Sequence, residues 1–343
     1  MSDEIIFAVA DGVAEITLNR PDAMNALTLD MALTLYERLT AWTEDDTVSA
    51  VVIRGAGDRA FCAGGDIRAL YDARKAGGPL TSDFFRAEYR LNRMIFHYPK
   101  PYIALIDGVA MGGGVGLSVH ASTRIASDRT LFAMPETGIG LFPDVGGSYF
   151  LSRCPGSIGM YLALTGARLG AADCKYANIV DWYVEGDQHD ALVSALRGGS
   201  SIEDVISNVA SDPGPAPLAE TREVIDRCFS QNSVAEIVVA LESEGGDWAE
   251  KTLKIMASKS PVSQKIAFRQ LQEGASLSFD DCMILEYRLS QHVMAGHDFF
   301  EGVRALIVDK DKTPHWQPSK LSDVDEGMVG SYFAPLKGDE LSF

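Results

Sequence analysis

Apolar and polar positions alternate along IFAVADGVAEITLNRP (Ile6 to Pro21), and the alternation breaks at Asp11-Gly12. Two short strands joined by a tight turn are expected, because Asp-Gly suits the positive φ angles of a two-residue hairpin. From Thr28 the period changes. Met31, Leu35, Leu39 and Trp42 recur at helical spacing, with Thr28 placed to cap the helix. AVVIRG then reads as a buried strand ending at Gly55, and YIALIDG (Tyr102 to Gly108) as another. A glycine run and the helical pattern GVGLSVHAS follow, and RIASDRT and LFAMPE complete the strand set. Strand–turn–helix units therefore recur, which indicates an α/β fold with glycine-rich turns at strand ends.

DPGPAP (Asp212 to Pro217) breaks the pattern, since three prolines in six residues interrupt any regular element. Beyond it the periodicity is helical almost throughout. Ser233-Val-Ala-Glu236 resembles a capping box, and Ser260-Pro261 opens a helix that Gly274 is placed to end. The expected organisation is a core over residues 1–211 and a helical C-terminal region over 218–343. No short-period repeat or low-complexity tract is visible in the sequence.

Composition narrows the class. A chain of 343 residues, 46% apolar and 23% charged, is long enough for one domain with a substantial extension and can bury a large core. No apolar run approaches the ~20 residues that span a bilayer. The start, MSDEIIFAVADG, lacks a signal peptide's basic and apolar regions. A soluble, cytoplasmic protein is expected, unless a targeting segment has been removed. Five scattered cysteines (Cys62, Cys154, Cys174, Cys228, Cys282) show no metal-binding spacing and fit free thiols in a reducing compartment. The net charge of −18 opposes nucleic acid and anionic membrane as partners. An acidic small ligand would need local donors.

The candidate chemistry lies in three glycine-rich stretches: FCAGGDIRAL (Phe61 to Leu70), DGVAMGGGVGLS (Asp107 to Ser118) and GIGLFPDVGGSYF (Gly138 to Phe150). In the first two, glycines come directly before a helical pattern, where bare N–H groups suit an anion or a developing oxyanion. Tight turns and close helix packing would use the same residues. Neither stretch is a P-loop or a dinucleotide fingerprint. The third follows FAMPET, which places Glu136 and Asp144 eight positions apart among apolar and small residues, with no Lys or Arg inside the stretch. Glu88, in FFRAEYRLN, reads either as a solvated acid paired with Arg86 or Arg90, or as part of a site. The six histidines form no ligand spacing, Cys62 has no local His partner, and Ser118 and Ser148 lack a GxSxG elbow. Leu285, Leu289 and Val293 form an apolar helical stripe suited to core or subunit contact.

FCAGGDIRAL, GVAMGGGVGLS and FAMPETGIGLFPDVGG, in that order, resemble the signature blocks of the crotonase (enoyl-CoA hydratase/isomerase) superfamily. NRPDAMNAL (Asn19 to Leu27) is similar to its early CoA-contacting loop. The MPETxIGLFPDVGG form, with EYRLSQ, GHDFFEGVRA and DKDKTPHW, resembles the thioesterase branch, the 3-hydroxyisobutyryl-CoA hydrolases. The likeness covers most of residues 5–180 and 258–316, while residues 186–256 carry little that is recognisable. It implies a spiral of ββα units followed by a helical C-terminal region.

The same resemblance implies an oxyanion hole from the N–H groups of Gly65 and Gly113, with Asp66, Ile67 and Arg68 along the thioester and pantetheine arm. Glu136 matches the second catalytic acid of the hydratases, and Gly116 stands where they carry the first. Asp144 is an acid that the hydrolase branch has at its position, and Glu88 matches a substrate-contacting Glu. Hydration of a double bond asks for an acid and a base together, and half of that pair is missing here. Thioester hydrolysis asks for an oxyanion hole and one carboxylate that attacks the carbonyl or activates water. Glu136 suits either role, and the resemblance favours a mixed anhydride on it. Asp144 would orient water, hold the substrate's hydroxyl or tune Glu136. Lys310 and Lys312 read either as donors to adenine or phosphate, or as a solvated cluster.

The expected activity is hydrolysis of a short-chain 3-hydroxyacyl-CoA, foremost 3-hydroxyisobutyryl-CoA, in valine breakdown. CoA enters with the substrate, no metal or other cofactor is implied, and a homo-oligomer is allowed. An enoyl-CoA hydratase or isomerase is the rival enzyme, and a non-catalytic CoA-binding protein is the rival of another class.

Overall fold

The computed structural model describes residues 4–76, 80–199 and 201–343. Strands β1 (Ile5–Ala10) and β2 (Val13–Leu18) form the expected hairpin, antiparallel from Ile5↔Leu18 to Ala10↔Val13. Asp11 and Gly12 both take positive φ, 49° and 84°, as a type I′ turn requires. In the helix Leu29–Thr43, Thr28 Oγ1 accepts the Met31 N–H at 3.1 Å. Met31, Leu35, Leu39 and Trp42 are all buried.

A paired-strand motif then repeats. β3 (Ala50–Gly55) leads into β4 (Ala60–Cys62), β5 (Tyr102–Ile106) into β6 (Val109–Met111), and β7 (Thr123–Ala126) into β8 (Leu131–Ala133). The first strand of each pair enters a six-stranded sheet ordered β1-β2-β3-β5-β7-β9, in which β9 is Trp182–Tyr183. The second strand of each pair enters a three-stranded sheet ordered β4-β6-β8. Among the described residues, every strand-to-strand pairing after the opening hairpin is parallel. Each ββ step therefore advances both sheets by one strand, with helices inserted after β4 and β6. That is the spiral of ββα units.

Parallel strands must be covered on both faces, so they read as unbroken apolar runs. All five residues of β5 are buried. Part of the cover comes from the helices His189–Leu196 and Ile202–Ser207. Their Leu192, Val193, Leu196, Val205 and Ile206 join Val13, Val52, Ile103, Leu105 and Ile125 in one core cluster. The start of the acidic segment 186–256 thus has a structural use that no motif announces.

Two compact units gather these elements. One comprises Met1–Asp66, Arg90–Ala133 and Arg168–Ala219 and holds both sheets. The other comprises Ile67–Tyr89, Met134–Ala167 and Glu220–Phe343, and it contains no strand among the described residues. Residues 211–216 carry no regular structure, and Pro217 is the first residue of the helix Pro217–Phe229. Ser260 caps the helix Pro261–Gly274 by accepting the Ser263 N–H. Ser233 likewise accepts the Glu236 N–H, but Glu236 returns its carboxylate to the Asn232 N–H, not to Ser233. Leu285, Leu289 and Val293 are buried along the helix Phe279–Ala295.

Candidate active site

In the strand-bearing unit, the glycines of the first two stretches are fixed by neighbouring backbone. The N–H of Leu27 donates to Gly64 O and the N–H of Asp66 to Leu27 O, both at 2.8 Å. Asn25 is buried with φ 56° and spans from Arg20 N–H to the carbonyls of Ala56 and Ala60. The NRPDAMNAL segment therefore pins the Gly64-Gly65 loop. Gly113 is the first residue of the short buried helix Gly113–Ser118. A Cβ on Gly114 would lie 2.0 Å from Cys62 O, so only glycine lets this helix start so close to the end of β4. Among the described residues, no protein acceptor takes the N–H of Gly65 or Gly113. The Gly113 donor stays open in a buried residue, where donors are normally satisfied, and the Gly65 donor stays open in a part-exposed one.

The carboxylates collect in the helical unit. Glu136 opens the 3-10 turn Glu136–Ile139 behind Pro135, is 5% exposed, and keeps its Oε2 without a partner. Asp144, 4% exposed, accepts the Tyr89 hydroxyl at 2.8 Å. Glu88 is 2% exposed with Oε1 unpartnered. It is not a solvated acid. Its neighbour Arg86 binds Tyr287 at 2.6 Å and Asp339 at 2.5 Å instead. A fourth acid, Glu286, is fully buried in the helix Phe279–Ala295.

Burial and mutual repulsion dominate the electrostatics of this group. Burial pushes Glu136 well above the usual carboxylate range, and the charge of Asp144 pushes it further. Glu88 is raised by burial first, then by Asp144 and Glu136. Burial lifts Asp144 to about 7, against the opposing pull of the Tyr89 hydroxyl. Glu286 rises to about 8 through burial, although three donors favour its ionised form. One cation opposes the trend. Lys259 lies beside the Glu136 turn, since a side chain at Gly138 would come within 3.2 Å of its Nζ. Burial depresses the Lys259 ammonium, and the charge of Glu136 holds it up.

The segment after Glu136 turns sharply at Asp144. Asp144 O accepts the Gly147 N–H at 2.8 Å, and Val145 and Gly146 both have positive φ, 50° and 91°. Those are the angles of a type I′ turn, which suits glycine but strains a β-branched residue. Glu286 faces the turn: Oε2 accepts the Gly146 N–H at 2.7 Å, and Oε1 accepts the Ser148 N–H and hydroxyl at 2.8 and 2.5 Å. Gln270 Nε2 donates to Pro143 O at 2.6 Å and to Ser148 Oγ at 2.9 Å.

The structure thus brings Glu88, Glu136 and Asp144 into one buried group. Gly65, Asp66 and Ile67 are part-exposed, and Asp66 pairs with Arg20 at 3.2 Å. Arg68 is exposed and pairs with Asp72. Cys62 is buried, and Ser118 donates to the carbonyls of its own helix. Lys310 and Lys312 are exposed, both with left-handed φ near 60°. Sequence reasoning missed Tyr89, Lys259, Gln270 and Glu286. The only hint was that Glu286 opens EYRLSQ, because a charge in a helix ordinarily reads as solvated. Asn92, on the same helix as Glu88, is buried with neither amide atom partnered and was also missed.

The parallel ββ steps form the spiral expected of the crotonase superfamily, and the chain belongs to the enoyl-CoA hydratase/isomerase family, whose profile matches residues 13–333. It is 48% identical to the protein named "3-hydroxyisobutyryl-CoA hydrolase, mitochondrial" of Danio rerio, over 98% of this chain and 91% of that one. The human protein of the same name is 43% identical over 100% and 91%. Among solved structures, a carnitinyl-CoA dehydratase from Mycobacterium thermoresistibile aligns with TM-score 0.95 and 41% identity, covering 100% of this chain and 99% of that one. An enoyl-CoA hydratase from Rhodobacter sphaeroides aligns with TM-score 0.92 and 39% identity, covering 99% and 100%. The expected cytoplasmic location is overturned, because these hydrolase relatives are named as mitochondrial. Buried free thiols fit a reducing compartment without saying which one.

Proposed function

We propose that this protein hydrolyses a short-chain 3-hydroxyacyl-CoA, foremost 3-hydroxyisobutyryl-CoA, to the hydroxy acid and free CoA. Its place would be valine breakdown. CoA enters as part of the substrate, and no metal or redox step is needed. The observation that carries the assignment is Glu136 Oε2, a buried carboxylate oxygen without a protein partner. A buried polar atom left without a partner is costly, which suits an atom reserved for substrate. The names of the hydrolase relatives agree.

Glu136, ionised with the Lys259 ammonium beside it against the raising effect of burial, attacks the thioester carbon through Oε2, a C–O bond forms, and the C–S bond breaks with its electron pair on sulfur. The N–H groups of Gly65 and Gly113 donate to the oxygen that gains charge. Water then adds to the mixed anhydride, which releases the hydroxy acid and restores Glu136, and one proton ends on the CoA thiol. Asp144, titrating near neutrality, holds the 3-hydroxyl or the attacking water. Glu88 contacts the acyl group, and Asp66, Ile67 and Arg68 flank the pantetheine arm.

The similar solved structures are named as a dehydratase and a hydratase, which favours a second reading. Against it, the helix Gly113–Ser118 carries Gly116 and no acid. Purified protein should release free thiol from 3-hydroxyisobutyryl-CoA and leave crotonyl-CoA absorbance nearly unchanged. Rapid hydration without thiol release would reverse the assignment.

A further inference from the structure

Glu286 is a buried acid with no part in the chemistry above. Carboxylates are rarely sunk in a helix core, because desolvation is costly unless their oxygens are well used. Both Glu286 oxygens are used, and on one short segment. Together with Gln270, Glu286 makes five hydrogen bonds to Pro143, Gly146 and Ser148. These contacts bracket Asp144 on both sides of the chain. Within the bracket, Val145 holds a left-handed φ of 50°, a conformation that persists only where the surroundings over-determine it. The carboxylate of Asp144 is left to the Tyr89 hydroxyl at 2.8 Å. An apolar residue at position 286 would fill space at less cost, but would leave the N–H groups of Gly146 and Ser148 buried and unpaired.

We propose that Glu286, backed by Gln270, is a positioning residue for hydrolysis: it holds the strained Asp144–Gly147 turn so that Asp144 keeps its aim at the substrate. This deepens the proposed function and rests on the role given there to Asp144. Glu286 acts through the turn, since the hydrogen bonds of both its oxygens go to Gly146 and Ser148.

The test is a double-mutant cycle on the full chain. Glu286→Gln keeps the shape but sets an amide NH2 against backbone N–H groups. Ser148→Ala removes one hydroxyl and spares both backbone donors, so it puts folding at less risk. kcat and KM for 3-hydroxyisobutyryl-CoA are measured for wild type, Asp144→Asn, Glu286→Gln, Ser148→Ala, and the latter two each combined with Asp144→Asn. Misaiming a reactive group costs up to about 100-fold, so Glu286→Gln should lower kcat by about 10- to 100-fold. KM should move by less than about 3-fold, as for an interaction used only in the transition state. In the double variant the Asp144→Asn loss should not multiply the Glu286→Gln loss, because the two residues act as one unit. Ser148→Ala should show a smaller kcat loss with the same dependence on Asp144, and decides the matter if Glu286→Gln does not fold. Losses that multiply, or an unchanged kcat, would overturn the positioning role while leaving the hydrolase reading intact. Wild-type protein that releases no CoA would bring down both.

Discussion

Glu136 and Asp144 stand eight residues apart in sequence and are buried alike, yet their surroundings differ. Asp144 has a hydroxyl donor in Tyr89, whereas Glu136 keeps an oxygen unpartnered and has Lys259 nearby. That asymmetry leaves Glu136 an oxygen open to substrate, while the Tyr89 hydroxyl fixes the carboxylate of Asp144. Glu136→Gln is nearly isosteric but cannot attack a carbonyl. It should abolish thiol release while acyl-CoA binding, followed by calorimetry, persists. Wild-type protein turning over in heavy-oxygen water should place label in the Glu136 carboxylate, since water can attack the enzyme's side of the anhydride. Turnover without label would favour general-base attack by water, and label on Asp144 would exchange the two roles. Val145 shows the same economy in the backbone. Its left-handed conformation costs roughly 1–3 kcal/mol, tolerated where the chain must turn within three residues of its acid.

Among the elements, the short helix Gly113–Ser118 depends on what its glycines lack. A Cβ at Gly114 would fall 2.0 Å from Cys62 O, a distance no side chain tolerates without backbone movement. Gly114→Ala should therefore destabilise the protein by about 1–3 kcal/mol or more, read as a lower denaturation midpoint in urea. Gly170→Ala, whose Cβ would meet nothing within 4 Å, should stay within about 0.5 kcal/mol of wild type. Equal effects at the two positions would mean that the close approach of helix and strand is not what selects glycine. Element boundaries themselves were well marked: Asp11-Gly12, Thr28, Ser260-Pro261 and the apolar runs of β3 and β5 are local signals, and each element lies where its signal stands.

For the whole molecule, burying several acids in a chain of net charge −18 links stability to pH. Asp144 has an ordinary value of 3.8 and is raised to about 7, so between these pH values the folded state holds a proton that the unfolded state releases. Stability is then intact below the lower value and falls as pH rises through the window. Glu286, raised from 4.5 to about 8, acts in the same direction. Urea titrations from pH 4 to 8 should show wild type losing unfolding free energy more steeply than Asp144→Asn between about pH 4 and 7. The slopes should differ by up to about 1 kcal/mol per pH unit. Parallel slopes would show that Asp144 is not held protonated by the fold.

Short stretches of the chain encode the hairpin, the strand and helix periods, the caps, and glycine where backbone must pass close. The sequence also marked Glu136 and Asp144 as acids without local counter-charges, and its motifs pointed to the family that the profile match then established. Glu88 stayed open between a solvated and a site role, because helical charge patterning cannot report burial. What surrounds those acids is set by the packing of distant elements. Tyr89 reaches Asp144 across 55 positions, and Glu286 reaches Gly146 and Ser148 across 140 and 138. The physical reason is that burial, repulsion and hydrogen bonding act through space, and proximity between such distant positions is set by how whole elements pack, which no local period records.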